Sequence, residues 1–171
     1  MTPVQTVVRL RASDSAPPAA VMQDLNQIFL QIMGRARYVT LFYGRLNLKK
    51  KLLEYTNAGH EPPFLFRART GEVIWLDKGG LVLGLLPEAR YESATVALEP
   101  GDLLVLYTDG VSDTENERGE AFTRRRLPGL VASLAGPSAA EVVEAIHRAG
   151  AEFRGSRPLQ DDTTVIVLRL L

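Results

Sequence analysis

With 171 residues and 46% hydrophobic side chains, the chain holds enough apolar material for one core and too little for two ordinary domains. Its 20 basic and 20 acidic side chains cancel to a formal net charge of zero and are spread along the sequence, which excludes a basic nucleic-acid face and an acidic solvating tail. Cysteine is absent, so disulfides and thiolate metal sites are excluded, and only oxygen and imidazole ligands remain for a metal.

Met1 to Arg11 lacks the apolar core of a signal peptide, and no uninterrupted apolar run is long enough to cross a bilayer. The expectation is a soluble, cytoplasmic chain with neither membrane nor nucleic acid as partner. Val4 to Leu10 reads equally as the tail of a helix or as an extended lead-in. From Ser15 the signal is helical: Ser15 suits a cap, Pro17 and Pro18 suit a first turn, and Val21, Leu25, Ile28, Phe29 and Ile32 recur at helical spacing, with an end near Gly34.

From Tyr38 the pattern turns to β. Tyr38 to Leu46 is rich in β-branched and aromatic residues, and Leu52 to Tyr55 follows a polar turn at Asn47 to Lys51. Phe64 to Phe66 and Val73 to Leu76 flank Thr70-Gly71 as a hairpin does. Four such runs in succession predict an antiparallel meander. After the glycine-rich stretch Gly79 to Gly84 come two more strands, Ala94 to Leu98 and Leu103 to Tyr107, separated by the turn Glu99-Pro100-Gly101-Asp102.

A weak helix between Thr123 and Ala135 is disturbed by Pro128-Gly129, and the adjoining Arg124-Arg125-Arg126 reads as a solvated loop or helix start. Ser138-Ala139-Ala140-Glu141 is a capping box opening a second strong helix, whose stripe Val142, Ile146 and Ala149 runs to about Phe153. Thr163 to Leu171, nearly all apolar or β-branched, reads as a central strand buried on both faces or as one packed inside a sandwich. Strands in runs with segregated helices define an α+β chain.

Two acidic spots sit at the ends of apolar strands, where a side chain is held rigidly yet faces solvent. Asp109 ends Leu103 to Thr108 and is followed by Gly110; Asp161-Asp162 immediately precede Thr163-Thr164-Val165. If the two strands are neighbours, their carboxylates converge at one rim and form a hard-oxygen site suited to Mg²⁺ or Mn²⁺. Either motif alone also reads as an ordinary turn. Asn57-Ala58-Gly59-His60 breaks the first strand run; the glycine permits a tight turn, and His60 is either a ligand-facing group or a hydrogen-bonded structural residue. His147 reads as a surface residue. Neither a Gly-x-x-x-x-Gly-Lys phosphate loop nor a Gly-x-Ser-x-Gly elbow is present, which removes sequence support for nucleotide hydrolysis and serine-esterase chemistry.

In order and spacing, Tyr38-Val39-Thr40-Leu41-Phe42-Tyr43-Gly44, Asn57-Ala58-Gly59-His60, Gly79-Gly80-Leu81-Val82-Leu83-Gly84, Thr108-Asp109-Gly110-Val111 and Gln160-Asp161-Asp162-Thr163-Thr164 resemble the metal-dependent PPM protein phosphatases, in particular their SpoIIE-like branch. The resemblance runs from Val4 to the end. It implies an antiparallel β-sandwich flanked by helices, residues 1–171 forming a single phosphatase domain, and a pair of Mn²⁺ or Mg²⁺ ions at one end. It implies metal ligation and catalysis by Asp109 and Asp161, with Asp161 favoured over its neighbour. Gly110 would shape the turn presenting Asp109, and Asp162 would support the ligands, with Asn57, Gly59 and His60 in a loop near the substrate. The implied reaction is hydrolysis of phosphoserine or phosphothreonine without a covalent intermediate, by in-line attack of activated water. The implied setting is a bacterial sigma-factor switch, with a phosphorylated regulatory protein of the anti-sigma-factor antagonist type as partner.

The sequence also departs from the family pattern. No Gly-Asp pair precedes Tyr38, whereas family members carry a Gly-Asp-x-x-Gly-x-Gly segment whose Asp bridges the two metals; the early acids here, Asp14 and Asp24, lack that context. The chain is therefore expected to begin inside the helix that follows this segment, without the first strands and with fewer ions or none. Uncovered strand edges would invite a homodimer. Val82 stands where relatives usually carry proline. The competing expectation is a catalytically impaired phosphatase-fold module that binds a phosphorylated partner, or that needs a partner segment to complete its metal site.

Overall fold

The computed structural model describes residues 5–6, 8–9, 16–33, 37–134 and 136–171. The expected cap at Ser15, the helix end near Gly34, Asp14, Ala135 and part of the Val4 to Leu10 segment lie outside the described residues. The chain is α+β and divides into two compact units, one comprising residues 1–62 and 76–98, the other 63–75 and 99–171.

The first unit is built on helix α1 (Pro18–Met33) and strands β1 (Leu41–Asn47), β2 (Leu52–Ala58), β5 (Gly79–Gly80) and β6 (Ala94–Ala97). Proline at the first helical position has no N–H to leave unsatisfied, and the Ala19 N–H is taken by Ser93 Oγ at 2.8 Å. Val21, Met22, Leu25 and Phe29 form the buried stripe and pack with Ala58, Leu83, Ala89 and Tyr91. Ile32, expected in that stripe, is exposed. Asn26 is fully buried on the same helix, donating to the Leu86 carbonyl at 2.9 Å and accepting from the Gly84 N–H at 2.8 Å, so it ties the glycine-rich loop to α1. β2 is central, pairing antiparallel with β1 and β6 and parallel with β5. The stretch at Gly79 thus contributes a short strand that the sequence did not reveal. A Cβ at Gly79 would lie 1.9 Å from the Asn57 carbonyl oxygen, so only glycine lets these backbones approach.

The second unit carries the sheet β4-β3-β7-β8, antiparallel throughout, from β3 (Phe64–Phe66), β4 (Val73–Trp75), β7 (Leu103–Tyr107) and β8 (Val165–Arg169). Its helices are α2 (Asp109–Ser112), α3 (Arg126–Ser133) and α4 (Ala139–Arg154). Phe64, Leu103, Val105 and Tyr107 pack with Val111, Leu127, Val131, Val142 and Ile146 to form the core. The Ser138 hydroxyl accepts the Glu141 N–H and the Glu141 carboxylate accepts the Ser138 N–H, completing the capping box. The Ser138 amide and hydroxyl hold the Glu141 carboxyl below its ordinary range. Ser138→Ala is expected to lower stability by about 1 kcal/mol, read as a lower urea midpoint at unchanged slope. Asp102, 2% exposed, pairs with Arg67 and accepts the Glu99 N–H at 2.9 Å, closing the turn before β7. The arginine run is exposed and leads through a turn into α3, as its sequence suggests, and within it Arg124 lies over Trp75 at 5.3 Å and Arg126 over Phe153 at 4.7 Å.

Two sequence expectations differ from this architecture, and one turn joins strands of different sheets. The four-strand meander is divided: β1 and β2 belong to one sheet and β3 and β4 to the other, because Pro62 and Pro63 have no N–H with which to continue the ladder. β6 and β7, although separated by a turn sequence, likewise belong to different sheets. β8 ends its sheet order instead of lying at the centre; Val165 and Val167 pack on the core while Ile166 and Leu168 are 52% and 45% exposed. A continuous apolar run does not say whether both faces are covered.

Candidate functional site

The candidate site lies wholly within the second unit. β7 and β8 are antiparallel neighbours with Tyr107 opposite Val165, so the chain leaving β7 and the chain entering β8 meet at the same end of the sheet. Thr108 locks them together: its N–H donates to the Thr164 carbonyl at 3.1 Å, and its Oγ1 accepts the Thr164 N–H at 3.0 Å and donates to the Asp162 carbonyl at 3.3 Å. The chain then turns directly into α2. Gly110 faces the opposing backbone so closely that a Cβ there would lie 2.3 Å from the Asp162 carbonyl oxygen.

Asp109 and Asp161 both line a concavity of about 230 Å³, together with Gly110, Asp113, Thr114, Glu115, Arg154 and Gln160. Each of the two aspartates is oriented by a backbone N–H: Asp109 Oδ1 accepts from Gly110 at 3.0 Å and Asp161 Oδ1 from Asp162 at 2.7 Å. Asp162 contributes backbone at this junction, and its side chain is exposed outside the lining. Asn57, Gly59 and His60 belong to the first unit. There the Asn57 amide closes the turn on both sides, accepting the His60 N–H at 2.8 Å and donating to the His60 carbonyl at 2.9 Å, with Gly59 at φ +68°. His60 Nδ1 lies 3.4 Å from Thr40 Oγ1.

The opposite wall comes from the hairpin that follows α2, closed by the Glu115–Ala121 bridge. Glu115 Oε2 accepts from Arg157 at 2.9 Å and from Gln160 Nε2 at 3.3 Å. Ser156 Oγ donates to Glu117 Oε1 at 2.7 Å, and the Ser156 hydroxyl and amide hold that carboxyl below its ordinary range. These bonds fasten the hairpin to the segment leading into Asp161.

Sequence reasoning did not single out Asp113, Glu115 or Arg154. Asp113 follows Asp109 by four residues, a helical spacing that would have placed both carboxylates on one side had a helix been expected at Asp109. No comparable local signal marks Arg154. The donor set is all carboxylate, which suits a hard divalent ion such as Mg²⁺ or Mn²⁺ and not a thiophilic metal. Among the described residues, however, no three His, Asp or Glu side chains converge closely enough to hold an ion. The chemistry of the donors fits such an ion.

The family described as Stage II sporulation protein E (SpoIIE) matches residues 1–171, and the chain belongs to that family. It is 34% identical over 163 residues to the phosphoserine phosphatase RsbU of Bacillus subtilis (strain 168), a match covering 92% of this chain and 48% of RsbU. Among solved structures, the SiaA-PP2C domain of Pseudomonas aeruginosa superposes with a TM-score of 0.82 at 24% identity, covering 98% of this chain and 65% of that one. The Mn-presoaked phosphatase domain of SpoIIE from Bacillus subtilis gives 0.71 at 19% identity, covering 99% and 73%. The fold is therefore that of PP2C phosphatase domains, and the chain spans about half the length of RsbU.

Proposed function

We propose that this chain, acting as one domain, hydrolyses phosphoserine or phosphothreonine on a regulatory protein of a bacterial sigma-factor switch, an anti-sigma-factor antagonist or a protein like it. The observation that carries the reading is the meeting of Asp109 and Asp161 on one acidic concavity at the β7–β8 end. Family membership and the 34% identity to a phosphoserine phosphatase support it.

Asp109 and Asp161 would hold Mn²⁺ or Mg²⁺, and the Mn-presoaked SpoIIE domain supports that choice. When bound, such an ion supplies positive charge to the phosphoryl oxygens and lowers the pKa of water. The chain's own part is position. Gly110 lets the two turns touch, Thr108 fixes their register, and the Glu115 and Glu117 contacts hold the far wall against the Asp161 segment.

The scarcity of converging carboxylates favours a second reading, a phosphatase-fold module that binds a phosphorylated partner or waits on a partner segment to complete its metal site. One experiment separates the two. Incubation with Mn²⁺ and a phosphoserine-bearing antagonist protein is expected to release inorganic phosphate, with EDTA abolishing the release. If no phosphate appears and calorimetry detects no Mn²⁺ binding, the hydrolytic reading fails and the binding module stands.

A further inference from the structure

A phosphomonoester is close to a dianion at neutral pH, yet the concavity that would receive it is lined by Asp109, Asp113, Glu115 and Asp161. Such a lining repels the substrate unless cations answer it. Arg154 is the one basic residue in the lining. It ends α4, and its Nε is buried without a hydrogen-bond partner among the described residues, a position that costs free energy and that no protein group repays. The nearby Arg157 differs, being committed to Glu115 and to the Asn116 carbonyl.

Arg154 also lines a second concavity of about 220 Å³, which shares Thr114 and Leu159 with the first and continues past Val111, Ile146 and Gly150. The side chain thus stands on the wall between an acidic hollow and a more apolar groove. A guanidinium presents a planar fork of N–H donors that matches two oxygens of a phosphoryl group, which an ammonium does not. We infer that Arg154 is a substrate-binding residue: its fork takes the phosphoryl oxygens of the phosphorylated side chain, and of the phosphate product, and holds them over the Asp109–Asp161 rim. The inference rests on the hydrolytic reading for the identity of the anion.

The test is a titration of inorganic phosphate into the ¹⁵N-labelled chain with Mg²⁺ present, followed through arginine Nε–H resonances. The Arg154 resonance, assigned by its loss in Arg154→Gln, is expected to move saturably with phosphate. Arg154→Gln is expected to weaken phosphate binding about tenfold or more, with Arg154→Lys keeping part of the affinity. An Arg154 resonance in the parent chain that ignores phosphate overturns the inference, and so does an Arg154→Gln variant that folds and binds phosphate as tightly as the parent. In turnover, Arg154→Gln is expected to raise KM for a phosphoserine peptide more than it lowers kcat. Hydrolysis with an unchanged KM would reject Arg154 while leaving the hydrolytic reading intact. Phosphate seated on Arg154 in a chain that releases none from peptide would do the opposite.

Discussion

Asp109→Asn is expected to lower metal-dependent phosphate release by about two orders of magnitude or more, the scale on which loss of one preorganised electrostatic partner acts. The melting temperature should stay close to that of the parent. Both halves of this expectation come from where the residue sits. Asp109 is exposed, and its carboxylate accepts a 3.0 Å bond from the adjacent Gly110 N–H, an acceptor that an asparagine carbonyl replaces. What asparagine cannot replace is the negative charge on the rim shared with Asp161. The measurement is kcat with Mn²⁺ alongside Mn²⁺ calorimetry and a thermal melt. Turnover equal to that of the parent would remove Asp109 from the chemistry, and a collapsed melt would mean that its role is structural.

Gly110→Ala should act on fold and site together. The added methyl would stand 2.3 Å from the Asp162 carbonyl oxygen and 3.0 Å from its carbon, and both obstacles are backbone. Relief requires the β7 and β8 ends to separate, against the Thr108 hydrogen bonds that hold them. A cost of about 3 kcal/mol is expected, at the upper end for forced overpacking. Because misplacement of about 1 Å can cost roughly 10²-fold in rate, activity should fall further than stability alone explains. Gly129→Ala is the control. It lies within α3 with nothing within 4 Å of the added Cβ, and should be neutral or stabilise by up to about 1 kcal/mol. Paired urea titrations and rates decide the matter; two glycine variants of equal stability would refute the close-contact argument.

Much of the second unit was legible from local chemistry. The capping box at Ser138, the stripe Val142 and Ile146, the β7 run and the turn at Glu99 to Asp102 are each encoded within a few residues, and the structure forms each of them. Strand partnership was less legible, since a hairpin-like spacing does not exclude pairing elsewhere; β3 takes β7 as its second neighbour, and β6 takes β2. Of the cavity residues that escaped notice, Asp113 and Arg154 did so for different reasons. Asp113 depends on a four-residue helical turn too short to produce a periodic signal. Arg154 looks like any basic residue at a helix C-terminus until the burial of its Nε and the walls around it are known.

By itself the sequence determined the class of elements, the placement of Asp109 and Asp161 at strand ends, and the family resemblance, because strand, turn and cap signals and motif order are local properties of the chain. Only the tertiary structure decided that β8 is an edge strand, that the strand runs divide between two sheets, and that Arg154 stands beside the acidic rim. The physical reason is that burial, pairing and electrostatic neighbourhood are set by residues distant in sequence, and their free energies exist only once those residues have been brought into contact.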